Sequence, residues 1–260
     1  MFSLGSFIFI NSTDRQKVAE QIELIRSLPG LGHVEIWWEH GGWSDDDAKW
    51  LRAELEEINC LMHAPYINMS FVSRHAEQNE ATLEILKRKV DQARILNVKV
   101  MTIHLGDRPF FTDDDEARGI CQPYLRQLAD YADGKMKISL ENVPVRPGSA
   151  FGYPNKGEEV AKILSAVDNI YTTVDIGHSW KNNDDYFDFL KNNRERVADI
   201  HFHNVSAEGR EHFGFNHPGC LDPGKVVDLL HQIDYQQYLT LEILEPEDIR
   251  KSWEIVKKFI

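Results

Sequence analysis

Short runs rich in β-branched and aromatic residues alternate along the chain with longer segments in which apolar residues recur every three or four positions. The first two runs, SLGSFIFI and HVEIWWE, end at residues 10 and 39. Between them, Val18, Ile22 and Ile25 form one apolar face, and Pro29-Gly30 follows. Such runs are typical of buried strands, and such faces of amphipathic helices. The pattern predicts a strand followed by a helix.

This strand–helix unit recurs eight times. Predicted strands span 3–10, 33–39, 58–66, 98–106, 136–143, 170–179, 197–205 and 237–244. Predicted helices span 14–28, 45–57, 79–97, 115–132, 156–167, 184–195, 223–233 and 246–259. Asp222 is expected to cap the helix that begins at Pro223.

Eight such units in 260 residues match the size of a (β/α)8 barrel. A doubly wound sheet more often carries a glycine-rich phosphate loop after its first strand, and none follows residue 10 here. We therefore expect an α/β fold, a single (β/α)8 TIM barrel over residues 1–260. In this fold the active site lies at the C-terminal ends of the strands.

Composition and charge indicate which compartment and which partners to expect. No apolar run approaches the roughly 20 residues that cross a bilayer, and the N-terminal segment is interpreted as a first strand rather than a signal peptide. Three widely spaced cysteines give no disulfide framework, which favours a reducing compartment. The net charge of -13 disfavours broad attraction to nucleic acid or anionic membranes. We expect a cytoplasmic protein without a membrane partner.

A charged or imidazole side chain stands near the end of almost every predicted strand. The set comprises Glu35 or Glu39, His63, His104, Glu141, Asp175 with His178, His201, and Glu242. A lone histidine or glutamate here is more often hydrogen-bonded or solvated than metal-bound. When such residues recur in consecutive units, metal binding becomes the favoured interpretation, because the strand ends of a barrel meet at one rim. Mixed imidazole and carboxylate ligands suit Zn²⁺, Mn²⁺ and similar divalent ions.

Other candidates lie around this rim. Arg210 and His203 can orient substrate hydroxyls, and His203 can instead fix His201 or Asn204. Three tryptophans are candidates for an apolar wall beside a sugar ring or for core positions: Trp37, Trp38 and Trp43. The segments 107–115 and 144–156 are expected to shape the mouth of the pocket.

Six short motifs follow one another at unit spacing: HAPY (63–66), IHLG (103–106), LEN (140–142), VDIGH (174–178), IHFHN (200–204) and LEI (241–243). In this order the chain resembles the xylose-isomerase-like TIM barrel superfamily. That superfamily includes sugar isomerases and epimerases as well as endonuclease-IV-like apurinic-site endonucleases.

The resemblance to the epimerase branch implies one divalent cation held by Glu141, Asp175, His201 and Glu242. In that branch the two glutamates also act as the acid–base pair, and His178 contacts the substrate. Proton transfer through a metal-stabilised enediolate would isomerise or epimerise a small sugar, keto-sugar or sugar phosphate. A carbohydrate partner follows from this, and a homo-oligomer is compatible with it.

The resemblance to the endonuclease branch implies three zinc ions, with His63, His104, His178 and His212 as additional ligands. That branch also uses an aspartate two residues before the last histidine, where this chain has Arg210, and Glu211 is a candidate replacement. The expected cofactor is therefore one to three divalent ions, Zn²⁺ or Mn²⁺, with Co²⁺ and Mg²⁺ as alternatives.

Three functions remain open at this stage. The sugar isomerase or epimerase is favoured over the zinc-dependent apurinic-site phosphodiesterase because the basic candidates are scattered rather than clustered: Arg74, Arg108, Arg146 and Arg210. A barrel that binds a metabolite without catalysis is the third, and it leaves acid–base-capable carboxylates at a metal unexplained.

Overall fold

In the computed structural model, which describes residues 1–145 and 150–260, eight parallel strands close into a barrel. Around it the strands are β1 (Ser3–Ile10), β2 (His33–Trp38), β3 (Asn59–His63), β4 (Val100–Ile103), β6 (Lys137–Glu141), β8 (Ile170–Asp175), β9 (Val197–Phe202) and β10 (Tyr238–Leu241), and β10 pairs with β1. A separate two-stranded sheet contains β5 (Asp107–Pro109) and β7 (Ala150–Gly152). The predicted α/β fold, a single (β/α)8 TIM barrel, is confirmed.

Helices follow the barrel strands, and each predicted helix has a counterpart. They are α1 (Arg15–Arg26), α2 (Asp45–Leu55), α3 (Ala76–Ile95), α4 (Asp114–Ala132), α5 (Gly157–Ala166), α6 (Ile176–Lys181), α7 (Tyr186–Asn193), α8 (Pro223–Gln232) and α9 (Pro246–Val256), with 3-10 turns at Arg194–Arg196 and Lys257–Phe259. Asp222 caps α8 as expected, by accepting the backbone N–H groups of Gly224 and Lys225. Within the described ranges, no helix has the length and apolar character needed to cross a membrane.

Helix α6 replaces the end of a predicted strand. The run 170–179 was expected to be extended throughout, but β8 ends at Asp175 and α6 begins at the next residue. The Asp175 carboxylate accepts the backbone N–H of His178 at 2.7 Å. An aspartate in that position stabilises a helix N-terminus, so the polar residue that ends the strand also starts the helix.

The two segments expected at the mouth of the pocket pair with each other. Strand β5 comes from the segment after β4, and β7 from the segment after β6, and they run antiparallel from Asp107↔Gly152 to Pro109↔Ala150. Residues 146–149, which include the candidate Arg146, lie outside the described residues. The pairing ties two neighbouring loops of the barrel rim into one unit.

The interior of the barrel is unusually polar. Branched aliphatic side chains usually fill a TIM barrel. Here Thr173 lies within hydrogen-bond distance of Thr102 (2.9 Å) and Ser139 (2.8 Å), and Nε2 of His33 lies 2.9 Å from the Thr240 hydroxyl. All five side chains are buried. Each of these buried polar groups has a hydrogen-bond partner, which is the condition under which a protein interior tolerates them.

Candidate metal centre

The strand ends bring the predicted ligands into one cleft. Each is the last residue of a barrel strand, the residue before it or the residue after it: His63, His104, Glu141, Asp175, His201 and Glu242. This follows from the parallel barrel, in which every strand points its C-terminal end at the same rim.

One fully buried group contains Glu141, Asp175, His201 and Glu242, whose ligand atoms all lie within 4.8 Å of one another. None is more than 3% exposed. Nδ1 of His201 lies 3.5 Å from Oε1 of Glu141 and 3.4 Å from Oε2 of Glu242, yet neither ring nitrogen of His201 has a hydrogen-bond partner, nor has Oε2 of Glu242. Three buried carboxylates require compensating positive charge. This donor set, with its unpartnered atoms, fits a divalent cation such as Zn²⁺ or Mn²⁺.

Imidazoles hold these carboxylates in their charged form. Burial alone would raise the pKa of Glu141, but His104 and His201 outweigh it and hold that pKa well below its usual value. Burial would also raise the pKa of Glu242, but His201 and His212 outweigh it and lower that pKa to about 2. The oxygens are therefore ionised at neutral pH, as metal ligands must be.

His63 and His104 form a second group on the other oxygen of Glu141. Their Nε2 atoms lie 3.2 and 2.9 Å from Oε2 of Glu141. Nδ1 of His63 lies 2.9 Å from the Ala64 carbonyl, which can only accept, so Nδ1 carries the proton. The Nε2 lone pair of a neutral His63 then faces a carboxylate oxygen, which requires a proton or a cation between them.

A third group contains His178, His203 and His212. Nδ1 of His178 donates to the Asn142 carbonyl at 2.9 Å, which leaves Nε2 directed towards Oε1 of Glu211 at 3.7 Å. Burial would lower the pKa of His178, but Asp175 and Glu141 outweigh it and raise the pKa to about 10.

His203 lies behind Asp175 rather than in open space. It is fully buried, with Nε2 3.2 Å from Oδ2 of Asp175, and the backbone N–H of His212 donates to its Nδ1 at 3.1 Å. A Cβ at Gly177 would lie only 2.2 Å from Cε1 of this ring, so the glycine makes room for it. In this position the ring can orient the Asp175 carboxylate, whereas the alternative considered from the sequence was contact with His201 or Asn204.

The loop after β9 presents Glu211 to the cluster instead of Arg210. The Arg210 side chain is exposed, and its guanidinium lies 5.9 Å from the centre of the Phe213 ring. Glu211 faces His178 with one oxygen and pairs through the other with Nζ of Lys181 at 2.9 Å. Arg210 is thus the one candidate of the substrate-binding set that the structure does not bring to the group.

Two acidic residues lie below the cluster: Glu35, which was an alternative to Glu39 in the strand-end set, and Asp199, which was not a candidate. Glu35 and Asp199 are buried inside the barrel, 2.9 and 3.7 Å from Nε2 of His201. Burial and the nearby Glu35 raise the pKa of Asp199 well above its usual value. The available signal was alternation, because Asp199 lies two residues before His201 and therefore on the same face of β9. Glu39, the other acid of this strand end, instead accepts the backbone N–H groups of Tyr66 and Ile67.

A cavity of about 360 Å³ opens beside His104. Its polar lining includes Tyr66, Asn68, Ser70, Ser73, Gln78 and Asp107. Trp37 contributes a wall nearby, with its ring centre 5.3 Å from that of His63 and 6.4 Å from that of His212. Trp38 and Trp43 pack edge to face against each other in the core. Of the three tryptophans, Trp37 therefore lies against the cluster.

Known proteins share this architecture. The family described as xylose isomerase-like TIM barrel matches residues 22–259. A D-tagatose 3-epimerase-like protein superposes with a TM-score of 0.83 at 23% identity, covering 99% of this chain and 97% of the other. D-allulose 3-epimerase from Methylomonas sp., in complex with D-allulose, gives 0.81 at 17% identity, covering 100% and 97%. An AP endonuclease, family 2, from Brucella melitensis gives 0.78 at 14% identity, covering 100% and 99%.

Proposed function

The chain belongs to the xylose isomerase-like TIM barrel family, and on that premise we propose that it is a divalent-metal-dependent isomerase or epimerase of a small sugar or keto-sugar. One observation carries the proposal. Glu141 and Glu242, two carboxylates able to move protons, belong to one buried group with Asp175 and His201. The structural likeness to ketose 3-epimerases supports the same reaction class.

The residues that would hold the cation are Glu141, Asp175, His201 and Glu242. When bound, a divalent ion supplies Lewis acidity to a carbonyl and its neighbouring hydroxyl. One glutamate removes the proton from the carbon beside the carbonyl, and the other returns a proton to the adjacent position or to the opposite face. His178, held by Asn142 and facing the same space, orients a substrate hydroxyl.

The surroundings favour an uncharged sugar over its phosphate. The cavity beside His104 is lined by hydroxyl and amide groups and by the Asp107 carboxylate, which would repel a phosphate. Three cations of the described rim are already ion-paired: Arg74 with Glu116 at 2.7 Å, Arg108 with Asp114 at 3.1 Å, and Lys181 with Glu211 at 2.9 Å.

Isotope exchange tests the proposal. Purified protein is incubated in D2O with Mn²⁺, Co²⁺ or Zn²⁺ and a panel of free ketoses and ketose phosphates, and proton NMR follows exchange beside the carbonyl. We expect deuterium uptake and a new isomer from at least one free ketose. The absence of both exchange and a new isomer with every sugar tested, in protein that has bound the metal, would reject the isomerase.

A zinc-dependent phosphodiesterase acting at apurinic sites is the second candidate. One observation favours it: His63 and the half-buried His104 form, with the shared Glu141, a further group able to hold an ion. Cleavage of an abasic-site duplex at catalytic rates, together with three bound zinc ions per chain, would support this candidate over the isomerase.

A further inference from the structure

The two ring nitrogens of His201 face different surroundings. Nδ1 faces Glu141 and Glu242, the carboxylates of the candidate cation site. Nε2 points into the barrel, where Oε2 of Glu35 lies at 2.9 Å, within ion-pair distance but without the alignment of a hydrogen bond. A metal-binding imidazole typically donates its other N–H to a carboxylate or carbonyl, which fixes the tautomer and the ring orientation.

Glu35 is the third residue of β2, and it is 1% exposed. Its Oε1 atom has no hydrogen-bond partner, and within the described residues its ion pair is with His201. A buried carboxylate without a compensating partner is costly. The contact with the His201 imidazole must therefore offset the cost of burying the Glu35 carboxylate.

Asp199 is the competing acceptor, but its oxygens are already engaged. Oδ2 accepts the Thr240 hydroxyl at 2.9 Å, and Oδ1 accepts the backbone N–H of Ile200 at 2.7 Å. Its distance from Nε2 of His201 is 3.7 Å, beyond hydrogen-bond range. Of the two acids, Glu35 lies nearer to Nε2 of His201 and has an oxygen without a hydrogen-bond partner.

We propose that Glu35 is a positioning residue for the cation site: when the ion is bound, it accepts the Nε2–H of His201, so that Nδ1 is the unprotonated nitrogen presented to the ion. The proposal rests on the cation of the proposed function and is independent of the substrate. The carboxylate sets the ring angle and increases the basicity of the ligand nitrogen. Removal of such a partner typically costs 10- to 100-fold in metal affinity.

Affinity for Mn²⁺ and Zn²⁺ is measured by competition with a chelator, without sugar, so the readout does not depend on activity. We expect Glu35→Gln, which keeps an acceptor oxygen but loses the charge, to weaken binding about 10-fold. Glu35→Ala, which also leaves a buried N–H unpaired, should weaken it more, towards about 100-fold. The matched acid-to-amide control is Asp199→Asn, expected to remain within about threefold of the unsubstituted protein.

Equal affinities in the unsubstituted protein and in folded Glu35 variants would overturn this role alone. An unsubstituted protein that binds none of the tested ions would overturn the cation site and this role together. A second measurement does not depend on variant folding: ¹⁵N–¹H correlation spectra of the Zn²⁺-loaded protein should show His201 protonated at Nε2. Protonation at Nδ1 would reject the proposal.

Discussion

The Asp175 carboxylate accepts the backbone N–H of His178 at 2.7 Å, so one side chain ends β8, caps α6 and enters the candidate metal group. Capping fixes the carboxylate by a backbone contact that does not depend on an ion. The same contact fixes the backbone position from which the His178 side chain extends. Ligand geometry and local secondary structure are therefore coupled at this residue.

Glu141→Gln and Glu242→Gln should each lower turnover about 10²- to 10⁴-fold while the protein remains folded, because an amide cannot exchange protons as a carboxylate does. Turnover of the ketose identified by exchange and far-ultraviolet circular dichroism are the measurements. Glu20→Gln, an exposed position on α1, is the matched control and should keep full activity. Full activity in either site variant would exclude that glutamate as an acid or base.

Gly177→Ala should destabilise the protein by about 1–3 kcal/mol, because the new Cβ would meet the His203 ring and force it from Asp175. The free energy of urea unfolding is the measurement. Gly119→Ala provides a control of opposite sign: nothing lies within 4 Å of its Cβ position in α4, and the change should stabilise the protein by about 0.5–1 kcal/mol. Equal effects at the two glycines would refute the steric explanation.

The metal-free protein should lose stability as the pH rises from about 6.5 to about 10. The pKa of His178 is raised from 6.5 to about 10 by Asp175 and Glu141 against the effect of burial. A raised folded-state pKa stabilises the fold fully below 6.5, and that stability is lost as the imidazole deprotonates. Urea unfolding at several pH values should show a shallower alkaline decline in His178→Gln, whereas an unchanged slope would contradict the assignment.

Lys181→Met should increase the number of divalent ions bound per chain. The substitution removes the ammonium group paired with Glu211 and leaves that carboxylate facing the His178 imidazole, whose Nε2 lies 3.7 Å away. A divalent cation that displaces the Nε2 proton can then be shared by the two side chains without repulsion from a neighbouring ammonium group. Elemental analysis after dialysis against Zn²⁺ measures the stoichiometry, and adding Glu211→Gln should restore the original value. No increase in the single variant would show that Glu211 does not take part in ion binding.

The strand ends were predictable because two periodicities agree. Alternating β-branched runs locate the strands, and the length of each strand–helix unit carries the next polar residue to the same rim. Glu141, Asp175 and Glu242 each terminate or directly follow such a run, and the structure gathers them with His201. A parallel barrel thereby converts regular spacing along the chain into proximity.

The features that could not be predicted depend on contacts that follow no regular spacing along the sequence. Glu35 and His201 meet across the interior of the barrel from strands far apart in the chain. The choice between Arg210 and Glu211 depends on an irregular loop, where no repeat indicates which side chain turns inward. Ile176 is as suitable for a strand as the residues before Asp175, and the strand ends there because the Asp175 carboxylate accepts a backbone N–H.

The ladder between β5 and β7 has a consequence for protein engineering. Each strand belongs to a different βα loop, and each fulfils the backbone hydrogen bonding of the other. A transplant of one loop from a related enzyme would leave its partner with unmatched main-chain donors and acceptors. Loop exchange in this scaffold therefore requires the two loops to be transferred as a matched pair.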